Sequence, residues 1–302
     1  MLSIICCSVD PKAAALLRRN IESTIGETPF EFIAFDNRNV NQGISGVYNS
    51  CAQKAGYDHL CFVHEDVCFN TFDWGKLIIR QLERENCGTI GFAGSIVKLR
   101  RLTAWNTCYT DMRANYIQHM RGKKHHHKIN PGHIDFTPVV TLDGLCLFVR
   151  RNVWESTKFD EQSFPRFHCY DIDFTLAVAS QYQNYVCNTV VVEHFSEGSF
   201  SNEWLEALKK LHEKWNDKLP LYVKEYVSPA QLMRYDRLGE ATFIKLLFQK
   251  GLFSECGFQD VLAYSYKYPQ YADSWLLYLK YAKYRLRYLL AQDKDHSNSH
   301  KH

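Results

Sequence analysis

The sequence predicts an α/β protein in which a mostly parallel sheet is flanked by helices and followed by a helical C-terminal appendage. In about the first 200 residues, short apolar runs of strand length alternate with stretches whose apolar residues recur at helical spacing. Such alternation is typical of a parallel sheet covered by helices on both faces. From about residue 222 onward, helical patterns follow one another without a further strand pattern.

Composition limits the class of protein. The 302 residues are 46% hydrophobic and 23% charged, which is typical of a soluble globular chain, and no apolar run approaches the roughly 18 residues that span a bilayer. The N-terminus enters a strand-like run directly, so we expect a cytoplasmic protein. Eleven cysteines without a CxxC pair indicate reduced core thiols. A net charge of +3 gives no reason to expect a nucleic-acid partner.

The first strands end at polar residues. Residues 2–9 form the first predicted strand, and Asp10-Pro11 ends it before a helix. Residues 30–35, FEFIAF, form the second, which stops at Asp36, either as a carboxylate at a strand tip or as an ordinary turn residue. Gly43 then precedes a run of helical spacing and leaves that helix N-terminus open to a phosphate.

The stretch HLCFVHEDVCFN, residues 59–70, is the centre of the predicted fold. Its apolar run predicts a buried parallel strand that stops at His64, Glu65 and Asp66. Ligands of open α/β sheets bind outside the carboxyl ends of the strands. Adjacent carboxylates there are commonly bridged to substrate phosphates by a hard divalent ion. A polar turn with a helix cap is the alternative interpretation.

Residues 97–137 interrupt the pattern. Basic residues outnumber acids there, and we predict a mobile basic loop region. We expect His125–His127 to occupy a solvated loop tip, and the functional alternative is a flap that closes over an anionic substrate.

Two further acidic positions follow. A strand pattern over residues 139–150 is interrupted by Asp143 and Gly144, where the glycine permits close approach to the backbone. Asp171 and Asp173 begin a helix, where acids also serve as simple caps.

A histidine follows the last strand-like run, YVCNTVVV at residues 185–192. This residue, His194, serves as a ligand, as a base or as a satisfied edge residue.

The domain organisation follows the change of pattern. We assign residues 1–221 to the α/β domain, residues 222–290 to a helical region and residues 291–302 to a disordered polar tail. Within the helical region, Ser228-Pro229 predicts a helix start and Gly239 its end. The last helix mixes aromatic and basic residues, so it either packs on the main domain or attaches to the surface of an anionic membrane, which would make the chain a peripheral protein of the inner membrane face.

In order and spacing, these segments resemble the nucleotide-sugar glycosyltransferases of the GT-A fold, close to family 2 and its glycosyltransferase-like relatives. The resemblance covers roughly residues 2–200 and rests on LSIICCSVD, NQGISGVYNSCAQKAGYDHLCFVHEDV and HCYDIDF. Where the family has an Asp-any-Asp triplet, this chain has His64-Glu65-Asp66. Where the family has a Glu-Asp pair before a helix, this chain has Tyr170-Asp171.

The resemblance implies a metal-dependent, inverting transfer of a hexosyl or related sugar in glycan biosynthesis. The implied donor is a UDP- or GDP-sugar, and the implied acceptor is a glycan or lipid-linked hydroxyl. It also implies a divalent cofactor, Mn²⁺ or Mg²⁺, held by Asp66 and His194, with Asp171 as the general base. The remaining implied donor-binding residues are Ser8, Asp36, Asn41, Glu65, Asp143 and Gly144.

Two other classes stay open. A catalytically inactive glycosyltransferase-like module would keep the fold and only bind a glycan or a partner, and the altered triplet at residues 64–66 is consistent with it. A nucleotidyltransferase is less well supported, because no glycine-rich loop with Lys or Arg follows the first strand.

Overall fold

The computed structural model describes residues 1–120, 122–196, 198 and 200–299, with side chains described up to residue 290. The strands are β1 (Leu2–Ser8), β2 (Phe30–Asp36), β3 (His59–His64), β4 (Val67–Phe69), β5 (Cys87–Gly91), β6 (Ala93–Ser95), β7 (Val97–Lys98), β8 (Met112–Met120), β9 (Lys123–Ile129), β10 (Phe136–Val139), β11 (Thr141–Leu142), β12 (Cys146–Arg150), β13 (Gln183–Cys187), β14 (Val192–His194) and β15 (Leu221–Tyr222). The helices are α1 (Pro11–Thr24), α2 (Ile44–Lys54), α3 (Trp74–Leu82), α4 (Arg151–Thr157), α5 (Tyr170–Ala179), α6 (Asn202–Trp215), α7 (Pro229–Gln249), α8 (Phe258–Lys267) and α9 (Ala272–Ser299).

The central sheet has the order β10-β13-β5-β12-β3-β1-β2 in the described part of the chain. Strand β1 lies between β2 and β3 and is parallel to both, and β13 is parallel to β5. Strand β12 runs antiparallel between β3 and β5, and β10 is antiparallel to β13, so the sheet is mixed. The predicted α/β class is therefore confirmed. The carboxyl ends of β1 and β3 coincide, because Cys7 pairs with His64 in register.

Both faces of the central sheet are buried, as its continuous apolar strands predict. In β3, Leu60 and Phe62 face a core shared with α2 and α5, while Cys61 and Val63 face a core shared with α1 and α3. Because side chains alternate along a strand, His64 continues the face of Leu60 and Phe62. The strand therefore directs His64 toward α5.

A second sheet, with the order β11-β6-β8-β14-β4, packs beside the first, and β9 pairs with β8. The prediction of a loop region is therefore wrong for Met112–Met120 and Lys123–Ile129, which are the paired strands of the β8–β9 hairpin. His125–His127 lie within β9 and not at its tip, and the His127 ring stacks on Tyr116 at 4.9 Å between centroids. The strands were not recognised in the sequence because β9 is mostly exposed and rich in basic residues, like a solvated loop. Strand β8, in contrast, buries residues such as Ile117.

One basic residue of the same region is fully buried. Lys98 in β7 has no exposed surface, and its ammonium group donates hydrogen bonds to the Thr103 and Ala104 carbonyl oxygens and to the Thr103 hydroxyl. A solvated loop was the wrong expectation here, because two backbone carbonyls and one hydroxyl supply acceptors for all three ammonium hydrogens.

The C-terminal helices pack against the loop that follows β7. Helix α7 begins at the predicted Ser228-Pro229 with a capping box. The predicted end at Gly239 is wrong, because α7 continues to Gln249. A Cβ atom on Gly239 would lie 2.7 Å from the Thr107 Cγ2 atom, so this glycine allows close packing and does not end the helix.

The far end of the chain also differs from expectation. Helix α9 extends through Ser299, so residues 291–299 are helical where a disordered tail was predicted. Residues 300–302 of that predicted tail lie outside the described residues. Of the helices in the described part of the chain, none is both long and apolar enough to cross a bilayer.

Candidate metal and donor site

The main cleft has a volume of about 800 Å³ and lies at the carboxyl ends of β1 and β3. Its walls come from the end of β1, Asn37, residues 41–44, residues 64–66, residues 165–168, Ser196 and Glu203. This is the edge at which open α/β sheets bind ligands. Helix α2 points its N-terminus at the cleft, because Gly43 is both its N-cap and part of the lining. The N–H groups of its first turn, which lack partners within the helix, are suited to an anion.

Gly43 also permits a close approach within the chain. A Cβ atom at this position would lie 1.8 Å from the Pro165 carbonyl oxygen. The glycine therefore lets the segment at residues 165–168 cover the start of α2 and complete the cleft wall.

Three side chains form a potential metal-binding group at the cleft, and two of them, His64 and Asp66, line it. His64, Asp66 and His194 each offer one ligand atom, and these atoms lie within 4.8 Å of one another. The His194 Nε2 atom is 3.6 Å from the Asp66 Oδ1 atom. Antiparallel pairing of β14 with β4 places His194 opposite Val67 and thus beside Asp66. The structure therefore brings together the two residues that were predicted as metal ligands.

His64 was not predicted as a ligand. Its Nε2 atom is 2.7 Å from the Tyr170 hydroxyl oxygen, and that hydroxyl donates to the Gly144 carbonyl oxygen at 3.2 Å. A His64 tautomer that donates from Nε2 fits both contacts and leaves the Nδ1 lone pair for a ligand. Burial, and next the nearby His194, lower the pKa of His64, so its imidazole is neutral near pH 7. Its position in the sequence could have indicated this role, since His64 occupies the first place of the acidic triplet.

The second nitrogen of His194 has an orienting partner. Its Nδ1 atom is 3.3 Å from the Gln118 Oε1 atom, and Gln118 also donates from Nε2 to the His194 and Ser196 carbonyl oxygens. This hydrogen bond leaves the Nε2 lone pair of His194 available, with the Ser196 hydroxyl as another neighbour at 3.2 Å. Two imidazoles, one carboxylate and an orienting amide are a donor set that fits Mn²⁺.

Glu65 turns away from these ligands. Its carboxylate accepts hydrogen bonds from the Ser8 hydroxyl at 2.6 Å and from the Val9 and Asp10 backbone N–H groups at 3.1 and 3.0 Å. Glu65 and Ser8, both predicted to contact the donor, are thus engaged with each other. Their observed interactions fix the turn between β1 and α1 at the rim of the cleft, and donor contact by either stays a prediction.

Asp36 lies outside the cleft. Its carboxylate forms a bidentate ion pair with Arg38, at 2.9 Å to Nε and 2.6 Å to Nη2, which lowers the pKa of Asp36 to about 2. The neighbouring Asn37 lines the cleft instead, and its side chain bonds to the backbone of Gln42. Asn41, a predicted donor residue, also lines the cleft in a left-handed conformation with φ of 50°.

A pair of acids lies behind the cleft floor. The Gly144 N–H donates to the Asp171 Oδ2 atom at 2.8 Å, and the Leu145 N–H donates to the Asp143 Oδ1 atom at 3.1 Å. Burial, and next the Asp143 carboxylate, raise the pKa of Asp171. Burial also raises the pKa of Asp143, while the nearby His194 opposes that shift. A carboxylate with a raised pKa is a better proton acceptor than an exposed one.

Gly144 makes this arrangement possible. A Cβ atom there would lie 2.3 Å from the Tyr170 hydroxyl oxygen and 3.0 Å from the Asp171 Cβ atom. The close approach predicted for this glycine therefore involves the start of α5.

Asp173, the second acid of α5, has a different environment. It is buried, pairs with Lys214 at 2.8 Å and accepts a hydrogen bond from the Trp215 indole N–H at 2.7 Å. These contacts join α5 to α6, so Asp173 has a structural role.

Comparisons with known proteins identify the family and similar folds. A family model described as "Glycosyltransferase like family" matches residues 3–219. The mannosyltransferase PcManGT from Pyrobaculum calidifontis, in complex with GDP-Man and Mn²⁺, aligns with a TM-score of 0.51 at 12% identity over 96% of this chain and 85% of that one. No curated protein sequence matches this chain.

Two further solved structures align less closely. The S. aureus TarS 1-349 structure with UDP aligns with a TM-score of 0.49 at 13% identity, over 82% of this chain and 72% of that one. GalNAc-T7 with UDP, GalNAc and Mn²⁺ gives 0.47 at 9%, over 79% of this chain. The alignment covers 54% of the GalNAc-T7 chain, so this chain spans about half of that protein's length.

Proposed function

Because this chain belongs to the Glycosyltransferase like family, we propose that it is a metal-dependent, inverting glycosyltransferase that moves a sugar from a nucleoside-diphosphate donor to a hydroxyl acceptor. The observation that carries the proposal is the group His64, Asp66 and His194, whose first two members line the cleft at the carboxyl ends of β1 and β3. The similar structure crystallised with GDP-Man and Mn²⁺ supports it.

In this proposal His64, Asp66 and His194 hold the divalent cation, and Mn²⁺ suits the site better than Mg²⁺ because magnesium prefers oxygen ligands. When bound, the cation supplies positive charge against the diphosphate leaving group. The open N-terminus of α2 and the amides of Asn37 and Asn41 are suited to the phosphates and the nucleoside. Asp36 would contact the donor only after its ion pair with Arg38 opens.

Asp171 is the proposed general base. Its raised pKa favours proton uptake from the acceptor hydroxyl, and the Gly144 N–H holds the carboxylate in a fixed orientation. A base that activates the acceptor for direct displacement would invert the anomeric centre. The proposed acceptor is a hydroxyl of a glycan or of a lipid-linked sugar.

The first test measures nucleotide binding with and without Mn²⁺. We expect isothermal titration of UDP and GDP to show tighter binding with Mn²⁺ for at least one of them, and Asp66→Asn to abolish that gain. Asp36→Asn is the matched control, because Asp36 also ends a strand but lies outside the cleft, so it should keep the full effect of the metal.

Unchanged metal dependence in Asp66→Asn would contradict the assignment of the metal site. A chain that binds nucleotide with Mn²⁺ but releases no nucleoside diphosphate from any UDP- or GDP-sugar, with or without glycan acceptors, would instead be the inactive binding module. The first outcome is read from metal-dependent binding and the second from product release, so the two are distinguishable.

A further inference from the structure

An exposed apolar stripe runs along helix α9. Trp275, Leu279, Leu286 and Leu290 are spaced four, seven and four residues apart, which places them on one face of the helix. They are 71%, 68%, 59% and 53% exposed, respectively. Single exposed apolar residues are ordinary, but a continuous row of four large ones on one helix marks an interaction surface.

This stripe is not the face that packs on the rest of the protein. The opposite side of α9 carries Leu277, which is buried, and Tyr281, whose ring lies 5.2 Å from that of Phe248 in α7. Tyr278 on the same side lies 5.8 Å from Phe258 of α8. Helix α9 therefore has two apolar faces, one covered by α7 and α8 and one turned to solvent.

Basic residues border the exposed stripe. Lys280, Lys283 and Arg287 are spaced three and four residues apart and form a row beside Leu279 and Leu286. The segment 272–290 contains one further cation, Arg285, and a single acid, Asp273, whose carboxylate pairs with Arg237 of α7. The surface around the stripe is therefore positively charged.

The basic row beside the stripe distinguishes between two binding partners, a second copy of this chain and an anionic bilayer. A second copy of this chain docking on the stripe would bring like-charged rows toward each other, which is unfavourable. A bilayer that contains anionic lipids offers an apolar interior to the leucines and negative charge to the basic row. Lys and Arg can extend toward the headgroups while their stems cover apolar surface, and Trp favours the interface.

We propose that α9 attaches this protein peripherally to an anionic lipid surface, with the helix lying in the plane of the interface and the stripe Trp275–Leu290 inserted. The inference is independent of the proposed reaction, because it rests on a surface of α9 and not on the cleft. The composition of the last helix already suggested a membrane contact, and the stripe on α9 is the surface that would make it.

The test is co-sedimentation of the full chain with vesicles of phosphatidylcholine alone and of phosphatidylcholine with phosphatidylglycerol. We expect binding to the second kind only. Near an anionic surface each Lys or Arg contributes about fivefold in affinity, so Lys283→Glu/Arg287→Glu should lose at least about 30-fold. Leu279→Glu/Leu286→Glu should abolish binding. Phe72→Glu is the matched control, since Phe72 is 71% exposed near α3, and it should bind as the wild type does.

Three results would overturn the inference. These are equal binding to both kinds of vesicle, loss of binding in the Phe72→Glu control, and the absence of vesicle binding together with a dimer that Leu279→Glu/Leu286→Glu converts to a monomer in light scattering. The last result would assign the stripe to a second copy. Thermal melting of each variant verifies that it is folded, which is expected because all of the altered side chains are exposed.

Discussion

Gln118 should control the affinity of the proposed metal site although it does not belong to the ligand group. Replacing it with Ala removes the acceptor of the His194 Nδ1–H and the donor to the His194 and Ser196 carbonyl oxygens. The imidazole would then be free to rotate and to change its tautomer. We therefore expect Gln118→Ala to weaken Mn²⁺ binding.

The size of the effect follows from the geometry. Loss of an orienting partner typically costs 10- to 100-fold in metal affinity. The Nδ1 to Oε1 distance is 3.3 Å, which is longer than the usual 2.9–3.0 Å. The expected loss therefore lies near the lower end, at about tenfold, or about 1.4 kcal/mol. Gln118→Glu keeps an acceptor for Nδ1 and should recover most of that affinity.

Titration of Mn²⁺ into the protein, with saturating nucleoside diphosphate, measures this affinity by calorimetry. Gln183→Ala is the matched control, since the Gln183 amide also donates to two backbone carbonyls, but in the central sheet. A tenfold loss in Gln118→Ala with no change in Gln183→Ala would support the role. Equal losses in both variants, or none in either, would refute it.

Three further predictions concern the base, the packing around it and acid stability. Asp171→Asn should leave donor affinity unchanged and lower kcat by about 10²- to 10⁴-fold. Asp173→Asn should chiefly lower Tm. A loss of donor affinity as large as the loss of kcat in Asp171→Asn would contradict its role as a base. Gly144→Ala should destabilise by about 1–3 kcal/mol in chemical denaturation, because its Cβ would lie 2.3 Å from a tyrosine oxygen, while Gly132→Ala, with its nearest neighbour at 3.8 Å, should be near neutral; equal values would show that the cleft floor relaxes freely. Burial, and next a nearby lysine, lower the pKa of His212 to about 3, so between pH 6.5 and about 3 the unfolded state binds the proton and the folded state does not. The free energy of unfolding should therefore decrease as the pH is lowered through that window, by up to about 1.4 kcal/mol per pH unit from this residue. His212→Gln should reduce this pH dependence, measured by urea titration at several pH values. An unchanged pH dependence would show that His212 is protonated in the folded state.

The fold and the family resemblance could be predicted because they depend on local patterns. Apolar runs of strand length ended by acids locate β1 and β3, and the helical spacing after Gly43 locates α2. The β8–β9 hairpin could not be recognised in the same way. Its strands pair with each other and with β14, so their stability comes from distant partners, while their composition resembles that of a solvated loop.

The candidate site was predictable in part. Asp66 and His194 each follow a strand-like run, but their proximity depends on the pairing of β14 with β4, and the contribution of His64 depends on which face the last residue of β3 takes. At the tip of β2 the turn exposes Asp36 to Arg38 and presents Asn37 to the cleft, a shift of one residue that no pattern indicates. Such details depend on turn geometry and on partners far away in the chain.

The potential ligands come from two different sheets. His64 ends β3 of the central sheet, whereas His194 ends β14 of the second sheet, and Gln118 belongs to β8 of that same second sheet. An ion held between them would couple the local opening of the hairpin to loss of the ion. Amide hydrogens of β8 and β14 should then exchange more slowly with Mn²⁺ present, by a factor that grows with metal concentration. The second sheet would thus depend on metal for part of its rigidity. Its rate of amide exchange would then show whether the metal site is occupied.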